Sequence, residues 1–375
     1  MDWDEVQLKD VAFYRNDKVK FDEISYDDYI STENMIADKG GVVAPSSIPT
    51  AGSSNIYLKS DILVSNIRPY FKKIWFANKE GSCSNDVLVF ASKDEKIDKE
   101  FLYYRLSTDD FFDYVMAGSN GVKMPRGNKK SIMDYSFLVP PLKTQKKIAS
   151  ILSNYDQLIE NNNQRIKLLE SMAEEIYKEW FVRLRFPDTK IKEINIGEIV
   201  DLRQGFALNS KSKHYISEQG IPLLKISDLF KGTETLFVND SIPKQFLVNE
   251  DEIIYTRTAQ VGYVFMGKKG VIYNNCFKVI PKNSLYTTFI YYFLRLKSTR
   301  YLAQTLATGT AQADLNHDSF KGIKINYPNE KIVIKFNKIV EPMDKEIKNL
   351  LIKNKNLKET RDLLLPKLIH GTLKV

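Results

Sequence analysis

Apolar residues recur at alternating intervals of four and three in two long stretches of this chain. In the first stretch they run from Ile148 to Ile176, and in the second, 188 residues later, from Phe336 to Leu364. This spacing places one apolar stripe along a helix and is typical of the seam of a coiled coil. We therefore expect two long helices that pack on each other.

The first stretch is too long to be covered by one small domain. From Leu142 to about Phe181 it would form a helix of roughly 40 residues, or roughly 60 Å at about 1.5 Å per residue. The alternative, an amphipathic helix that packs on its own domain, suits helices of about three turns. Pro342 and Pro366 lie inside the second stretch, so a kink or a shortened helix is expected there.

Each apolar stripe contains one asparagine, Asn162 in the first and Asn354 in the second. An asparagine that faces leucine in a seam leaves its amide unpaired, whereas one that faces another asparagine does not. An antiparallel pairing of Asn162 with Asn354 also sets apolar residues opposite each other, for example Ile148 and Leu368. A parallel pairing in repeat register would set Asn162 against Leu350. We therefore predict antiparallel helices with the asparagines fixing the register.

The rest of the chain is duplicated as well. FLYYRL from residue 101 recurs as FIYYFL from residue 289, and GSNGVKMPRGNKKSI from residue 118 recurs as GTAQADLNHDSFKGI from residue 309. Each half begins with short β-like runs and a helical segment, and a proline then precedes the long helix. The predicted fold class is α+β, with two pseudo-repeated mixed domains at residues 1–140 and 188–328 and coiled-coil helices at residues 141–187 and 329–375.

Composition argues against several classes of protein. The chain has only two cysteines among 375 residues, and neither has a cysteine or histidine at metal-ligand spacing, which disfavours a disulfide scaffold or a zinc module. The N-terminus lacks the features of a signal peptide, and no run approaches the roughly 18 apolar residues of a membrane span. We expect a soluble, cytoplasmic protein without a membrane partner. The net charge of +8 favours a polyanionic partner only weakly.

The sequence contains no recognisable catalytic motif. Phosphate-binding and dinucleotide-binding glycine patterns, HExxH, GxSxG and an Asn-Pro-Pro-aromatic quartet are absent. The three histidines are scattered, so no metal site is predicted. Asp188 and Glu193 loosely resemble a nuclease carboxylate cluster, but such short patterns arise often by chance, and we favour a solvated linker.

Two segments of the first half combine cations with residues that suit nucleic acid. SNIRPYFKKIWF, residues 65–76, interleaves basic and aromatic side chains, which suit phosphates and bases; a strand with its aromatics in the core is an equal alternative. GSNGVKMPRGNKK, residues 118–130, presents cations between glycine turns, and its alternative is a solvated loop. The candidate DNA-binding residues are Arg68, Tyr70, Lys72, Lys73, Lys123, Arg126, Asn128 and Lys129.

The corresponding segments of the second half carry amides in place of most of these cations. EIIYTRTAQ from residue 252 repeats DILVSNIRP from residue 61, and TGTAQADLNH spans residues 308–317. Asn and Gln suit adenine edges, whereas Arg and Lys suit guanine. If both loops contact DNA bases, the same position of the fold carries different base-contacting side chains in the two halves of the chain. Recognition of two different DNA half-sites would need such a difference. The candidates here are Arg257, Gln260, Tyr263, Thr310, Gln312, Asn316 and His317.

Three segments make the whole chain resemble the specificity subunit of type I restriction-modification systems. They are VPPLKTQKKIASILSNYDQLIENNNQRIKLLE from residue 139, IYKEWFVRLRFP at residues 176–187 and RDLLLPKLIHGTL at residues 361–373. These segments are similar to the family's two conserved helical regions, although the second region here lacks the Gln-Lys-Lys-Ile run. The resemblance implies that residues 1–140 and 188–328 are DNA target-recognition domains separated by a long antiparallel two-helix coiled coil.

The resemblance also implies that DNA recognition and catalysis belong to different subunits. This chain would read a bipartite, asymmetric site on double-stranded DNA and would not itself be an enzyme. Two modification subunits would use S-adenosylmethionine, and restriction subunits would use ATP and Mg²⁺ as motor and nuclease. The modification subunits would pack on the exposed helix faces, where the candidate contacts are Lys167, Glu170, Glu174 and Lys178.

Two alternatives remain open at this stage. One is a self-sufficient, metal-dependent DNA endonuclease that uses Asp188 and Glu193. The other is a coiled-coil adaptor without DNA affinity, in which the basic loops would be incidental. Steep salt dependence of DNA binding separates the adaptor from the other possibilities.

Overall fold

A computed structural model describes residues 3–20, 23, 25–50, 52–93, 96–121, 123–185, 191–309 and 312–375. The chain divides into two compact units. Unit 1 comprises residues 1–161 and 353–375, and unit 2 comprises residues 162–352. Each unit mixes strands with helices, so the predicted α+β class is confirmed.

Unit 1 begins with short strands and helices. Its strands are β1 (Asp4–Gln7), β2 (Ala12–Tyr14), β3 (Lys18–Lys20), β4 (Tyr29–Ile30), β5 (Ser53–Tyr57), β6 (Ile62–Ser65), β7 (Ile74–Phe76), β8 (Gly81–Cys83), β9 (Val87–Ser92) and β10 (Ser136–Val139). Its short helices are α1 (Leu8–Val11), α2 (Lys99–Leu106), α3 (Asp109–Ala117) and α4 (Lys129–Met133). The strands form sheets in the orders β1-β10, β2-β9-β6-β7 and β3-β5-β8-β4.

The first long helix, α5 (Leu142–Tyr177), follows the last strand of this set. It continues into a π-helical turn at Lys178–Val182. The predicted helix of roughly 40 residues is therefore confirmed.

Unit 2 repeats this layout. Its strands are β11 (Lys192–Asn195), β12 (Val200–Gln204), β13 (Ile216–Ser217), β14 (Ile221–Leu224), β15 (Phe237–Val238), β16 (Leu247–Val248), β17 (Ile253–Thr256), β18 (Val264–Phe265), β19 (Gly270–Ile272), β20 (Cys276–Pro281) and β21 (Lys324–Tyr327). Its short helices are α6 (Ile226–Lys231), α7 (Thr287–Arg295), α8 (Lys297–Leu306) and α9 (His317–Lys321). The sheet orders are β11-β21, β12-β20-β17-β18 and β13-β15-β14-β19-β16.

The duplication seen in the sequence is reproduced in the strand pairing. The sheet β2-β9-β6-β7 of unit 1 corresponds to β12-β20-β17-β18 of unit 2, and the antiparallel pair β1-β10 corresponds to β11-β21. In each unit, the first of two consecutive short helices, α2 or α7, carries buried aromatic residues that pack in the main core. The prediction of two pseudo-repeated mixed domains is confirmed.

The second long helix, α10 (Glu330–Ile369), is not shortened, which was one of the two expectations for it. It contains Pro342 and Pro366 without a break in the helix. Both prolines lie at exposed positions, where solvent can hydrate the carbonyl group that a proline leaves without an N–H partner. The expectation of a shortened helix is therefore wrong.

In unit 1, a segment of α5 packs antiparallel to a segment of α10. Ile148, near the start of α5, shares a buried core with Leu368, near the end of α10. Further along α5, Asp156 forms an ion pair with Arg361, which lies earlier in α10. The direction of this pairing agrees with the antiparallel arrangement predicted from the apolar stripes.

Unit 2 contains its own antiparallel pair of segments from the same two helices. Arg165 donates a hydrogen bond to Glu346 at 2.9 Å, and the ring of Tyr177 lies 5.9 Å from that of Phe336. Later residues of α5 thus meet earlier residues of α10, as in unit 1. Within the described ranges, none of the helices has the length and apolar character that a membrane span requires.

Candidate nucleic-acid interface

The basic loop of unit 1 closes on itself just before α4. The backbone N–H groups of Asn120 and Arg126 each donate to the carbonyl oxygen of the other, both at 2.9 Å. Gly121 has a φ of 94°, a conformation that residues with a Cβ rarely adopt. These features define recognition loop 1, residues 118–128.

Recognition loop 1 is attached to the segment between β6 and β7. The N–H of Arg68 donates to the carbonyl of Pro125 at 2.8 Å, and the N–H of Gly127 donates to the carbonyl of Asn66 at 3.2 Å. The two segments that the sequence singled out in the first half therefore lie side by side. Their candidate side chains share one region of unit 1.

Unit 2 builds the same arrangement from different residues. Thr308 and Asp314 exchange backbone hydrogen bonds at 3.0 and 2.8 Å, and the N–H of Ala259 donates to the carbonyl of Ala313 at 2.9 Å. The two units also share an unusual backbone conformation. Arg68 and Ala259 occupy equivalent positions, and both have a positive φ, 50° and 62°. We name residues 307–316 recognition loop 2.

The side chains of recognition loop 1 are largely free to meet a ligand. Lys123, Arg126 and Lys129 are exposed. The side chain of Arg126 is 56% exposed, and its guanidinium lies 3.2 Å from the carboxylate of Asp86, an exposed pair that contributes little to stability. A solvent-facing, partly paired guanidinium is suited to bidentate contact with guanine.

Asn128 has a structural role that the sequence analysis did not assign. Its side-chain oxygen accepts hydrogen bonds from the N–H groups of Lys130 and Ser131, at 3.0 and 3.3 Å, and caps α4. Asn316 does the same for α9 by accepting from the N–H of Ser319 at 2.8 Å. Both asparagines therefore fix the helix that follows their recognition loop.

The segment 65–76 combines both of the alternatives considered for it. Tyr70 is 46% exposed, whereas Ile74 is fully buried and belongs to the core. Lys72 pairs with Asp109 at 2.9 Å. Lys73 donates to the carbonyl of Thr32 at 2.6 Å, and burial lowers its pKa. The outward part of this segment suits a nucleic acid, while its strand supports the sheet.

In unit 2, the candidates divide into exposed residues and residues held by internal partners. Gln260, Gln312 and Asn316 are exposed. The ring of Tyr263 lies beneath the guanidinium of Arg300, at 4.3 Å. Thr310 lies outside the described residues.

Arg257 and His317 both pack against the ring of Phe277. The His317 ring lies 4.7 Å from it and the Arg257 guanidinium 5.1 Å. Burial lowers the pKa of His317, and the charge of Arg257 adds to this effect. His317 is therefore neutral at physiological pH and able to act as a hydrogen-bond acceptor or donor.

Sequence reasoning missed the acidic partners of these loops. Asp86 pairs with Arg126, and Asp314 pairs with Arg257 at 2.5 Å. A signal for the second pair was present, because Asp314 is the one acidic residue in the amide-rich segment TGTAQADLNH. Arg300, which stacks on Tyr263 from α8, was also missed.

The helix residues proposed to bind partners or to set register occupy different environments. Asn354 is buried on α10 and Asn162 half-buried on α5; their pairing stays a prediction. Among the four candidate partner contacts, Glu174 pairs with Lys178 at 2.7 Å and Glu170 lies 3.5 Å from Arg295. Lys167 is exposed. It is therefore the candidate contact best placed to meet another protein.

The carboxylates of the nuclease alternative do not gain support. Glu193 is exposed on β11, where it pairs with Asn326 of β21, and Asp188 lies outside the described residues. Within the described part of the chain, no three His, Cys, Asp or Glu residues are grouped so that they could hold a metal ion.

Comparison with known proteins identifies the family. The family described as type I restriction modification DNA specificity domain matches residues 1–171 and 189–359. A specificity subunit of the type I restriction enzyme MjaIX from Methanocaldococcus jannaschii is 29% identical over 74% of this chain and 69% of its own length. The HindI specificity subunit of Haemophilus influenzae is 25% identical over 99% of this chain and 100% of its own length.

A solved structure shares the fold. The crystal structure of a type I restriction-modification S subunit from M. genitalium has a TM-score of 0.61 and 19% identity, and it covers 98% of this chain and 96% of that one. The family match includes both pseudo-repeats and both recognition loops. The chain therefore belongs to the family of type I restriction-modification DNA specificity subunits, as its sequence resemblance predicted.

Proposed function

We propose that recognition loops 1 and 2 read the two halves of a bipartite, asymmetric DNA target. The observation that supports this most directly is the pair of loops itself. Both are closed and attached through equivalent backbone hydrogen bonds, yet they present different side chains. Recognition of two different half-sites requires the same backbone framework with different base-contacting side chains.

The chemistry of the exposed side chains suggests which bases each loop prefers. Recognition loop 1 offers the guanidinium of Arg126 and the ammonium groups of Lys123 and Lys129, which suit guanine and phosphate. Recognition loop 2 offers the amides of Gln312 and Asn316, which suit adenine. We therefore expect a half-site containing guanine for unit 1 and one containing adenine for unit 2.

Catalysis would belong to partner subunits. Two modification subunits would bind S-adenosylmethionine and methylate adenines in the target, and restriction subunits would use ATP and Mg²⁺ for translocation and cleavage. This chain would bring them to their DNA sequence. The exposed helix surface around Lys167 is the proposed contact for a modification subunit.

The test is to sequence host DNA with a method that detects methylated bases. The proposal expects one split motif whose two halves differ in sequence. Transfer of the gene to a host that has matching modification subunits but another specificity subunit should add this motif. A continuous motif, or none that depends on this gene, would contradict the proposal.

Replacing Arg126 by alanine should weaken recognition in one half-site only. If Arg126 forms a bidentate pair with guanine, the loss should be about 1–3 kcal/mol and should relax specificity at that base. Competition binding with substituted DNA measures this. Lys99→Ala, which removes an exposed cation at the start of α2, is the control and should change little. An equal loss on every DNA sequence would make Arg126 a phosphate contact.

Variants of recognition loop 2 should affect only the other half-site. Gln312→Ala removes an exposed amide, and Asn316→Ser removes an amide while keeping a hydroxyl that can cap α9. Each should reduce discrimination at one base by about 1–3 kcal/mol without lowering the melting temperature. Asn316→Ala, which also loses the cap, should in addition cost about 1 kcal/mol of stability. Loss of discrimination in both half-sites would contradict the two-reader assignment.

Reversing the charge of Lys167 should weaken assembly with the modification subunit. Lys167→Glu places a carboxylate on an exposed helix surface, so the chain should remain folded and keep its DNA specificity. Sedimentation of the mixed subunits measures the change. Lys178→Glu is a less clean variant because it also breaks the pair with Glu174. Unchanged assembly of the Lys167 variant would place the contact elsewhere.

A further inference from the structure

Arg257 is held inside unit 2 by three neighbours. Its Nη2 lies 2.5 Å from the carboxylate of Asp314, its Nε donates to the carbonyl of Leu315 at 3.3 Å, and its Nη1 donates to the carbonyl of Asn274 at 3.5 Å. Only 14% of the side chain is exposed. The guanidinium therefore has little surface left for a DNA phosphate or base.

Both carboxylate oxygens of Asp314 have partners, although 41% of its side chain is exposed. Its second carboxylate oxygen accepts a hydrogen bond from the hydroxyl of Thr258 at 2.9 Å. Its backbone N–H and carbonyl both bond Thr308 across the base of recognition loop 2. One residue thus joins the two ends of the loop to each other and to the segment that follows β17.

The equivalent loop position in unit 1 has the opposite charge. Arg126 takes the place of Asp314 in the matching backbone pairings with Asn120 and Ile67. Its ion pair with Asp86 is longer and more exposed than the pair between Arg257 and Asp314. Asn66 takes the place of Arg257, since the backbone carbonyl of each accepts a hydrogen bond from the residue directly after the loop closure, Gly127 or Leu315. The arginine of the pair is shielded in unit 2, because 14% of the Arg257 side chain is exposed against 56% of the Arg126 side chain.

We propose that Arg257 and Asp314 act together as a positioning pair that holds recognition loop 2 in its reading conformation, and that Arg257 does not itself contact DNA. The inference rests on the proposed function of that loop. It revises the sequence-based assignment of Arg257 as a DNA-binding residue, and leaves base reading in unit 2 to the exposed amides.

The proposal separates two roles that a cation near DNA can have. A lysine or arginine that neutralises a phosphate contributes about 0.9 to the slope of log affinity against log salt. A positioning residue leaves this slope unchanged and alters discrimination between bases. Salt dependence and base discrimination, measured on one variant, therefore distinguish the roles.

The experiment uses the full chain and duplexes that carry the split target with single substitutions in either half-site. The variants are Arg257→Met, Asp314→Asn and the double replacement, and discrimination in half-site 1 is the internal control for folding. Each single variant should lose about tenfold or more of its discrimination in half-site 2, with an unchanged salt slope. The double variant should be no worse than either single variant, because the two residues act as one unit.

Thr258→Val provides a variant that changes no charge. It removes the hydrogen bond to Asp314 and should reduce discrimination in half-site 2 in the same direction, even if Arg257→Met proves unstable. The proposal is overturned if Arg257→Met lowers the salt slope by about 0.9, or if Asp314→Asn and Thr258→Val both retain full discrimination. Absence of sequence-specific binding by the unaltered chain would instead contradict the proposed function of the loops.

Discussion

Replacing Asp156 by asparagine should destabilise unit 1, whereas the matching replacement Asp344→Asn should leave unit 2 as stable or more stable at neutral pH. The two carboxylates are repeat equivalents that lie 188 residues apart. Each accepts a hydrogen bond from a tyrosine of its own unit, Tyr104 at 2.5 Å and Tyr292 at 2.6 Å. The difference between them lies in the facing helix.

Asp156 faces Arg361, and the two form an ion pair within unit 1. Burial opposes the charge of Arg361, but the adjacent Asp156 carboxylate raises the pKa of the guanidinium overall. Removing one partner of a buried pair costs about 3–5 kcal/mol. Because Arg361 also contacts the exposed Asp362 at 2.9 Å, we expect a smaller loss, about 2 kcal/mol, for Asp156→Asn.

Asp344 has no guanidinium at the matching place, because Ala173 occupies the repeat equivalent of Arg361 and is fully buried. Burial raises the pKa of Asp344, and the Tyr292 hydrogen bond and the charge of Arg295 only partly offset this. Glu341 and Glu170 raise it further. An ionised Asp344 therefore lowers the stability of unit 2, and asparagine can still accept from Tyr292.

The pH dependence follows from the direction of the shift. Because the pKa of Asp344 is higher in the folded state than the ordinary value of 3.8, the folded state holds its proton more firmly. The contribution of protonated Asp344 to the stability of unit 2 is complete below pH 3.8 and is lost as the pH rises through the pKa of the folded state. Asp344→Asn should remove this decrease and flatten the stability of unit 2 across that range.

Urea unfolding followed by tryptophan fluorescence measures both variants. Trp180 is the one tryptophan of unit 2, so a background with Trp3→Phe and Trp75→Phe reports on that unit. The unaltered tryptophans of unit 1, in a Trp180→Phe background, report on the Asp156 variant. Equal losses for the two asparagine variants would show that Arg361 does not distinguish the two sites.

This asymmetry shows what the sequence could and could not predict. The spacing of apolar residues predicted the long helices and their antiparallel pairing, because a helix periodicity is a local property. Arg361 interrupted the apolar stripe, but its partner Asp156 lies 205 residues earlier in the chain. Pairings across such distances depend on tertiary packing, which local patterns do not contain.

The recognition loops show the same limit together with a signal that was overlooked. The duplication marked both loops, but the sequence aligned them three residues out of register, because Arg126 takes the place of Asp314 and not of His317. Asn128 and Asn316 were assigned to base reading, although an asparagine directly before a short helical segment is also a typical N-cap. The sequence also gives no sign that an acidic partner, Asp314, covers Arg257. An arginine that follows a strand is therefore indistinguishable, by sequence alone, from one that contacts DNA.

Replacing Gly309 by alanine should abolish discrimination in half-site 2. Gly309 has a φ of 119°, and a Cβ at this position would lie 2.4 Å from the carbonyl oxygen of Gln312. Real Cβ atoms do not approach backbone oxygen this closely, so recognition loop 2 must change shape. Because Gln312 is itself a proposed reader, we expect a loss of about tenfold or more in discrimination.

Substitutions at two other glycines separate the two possible causes of this loss of discrimination, the contact of the new Cβ and the backbone strain. Gly121, the equivalent in recognition loop 1, has a φ of 94°, and its Cβ would lie 3.3 Å from the carbonyl oxygen of Met124. Gly121→Ala should therefore cause a smaller loss, confined to half-site 1. Gly232 ends α6 with a φ of 66° and has nothing within 4 Å of a Cβ, so Gly232→Ala tests backbone strain alone, which costs about 1–3 kcal/mol.

Binding to duplexes substituted in each half-site, together with the melting temperature of each variant, measures these effects. Gly232→Ala should lower the melting temperature while keeping the discrimination of both half-sites. Gly309→Ala should instead lose the discrimination of half-site 2 and keep its melting temperature. The strain falls on a closed loop, and the sheet does not depend on that loop. If Gly309→Ala kept its discrimination, the shape of recognition loop 2 would not determine which bases are read. Reading in unit 2 would then have to come from residues outside the loop, such as Gln260 or Tyr263.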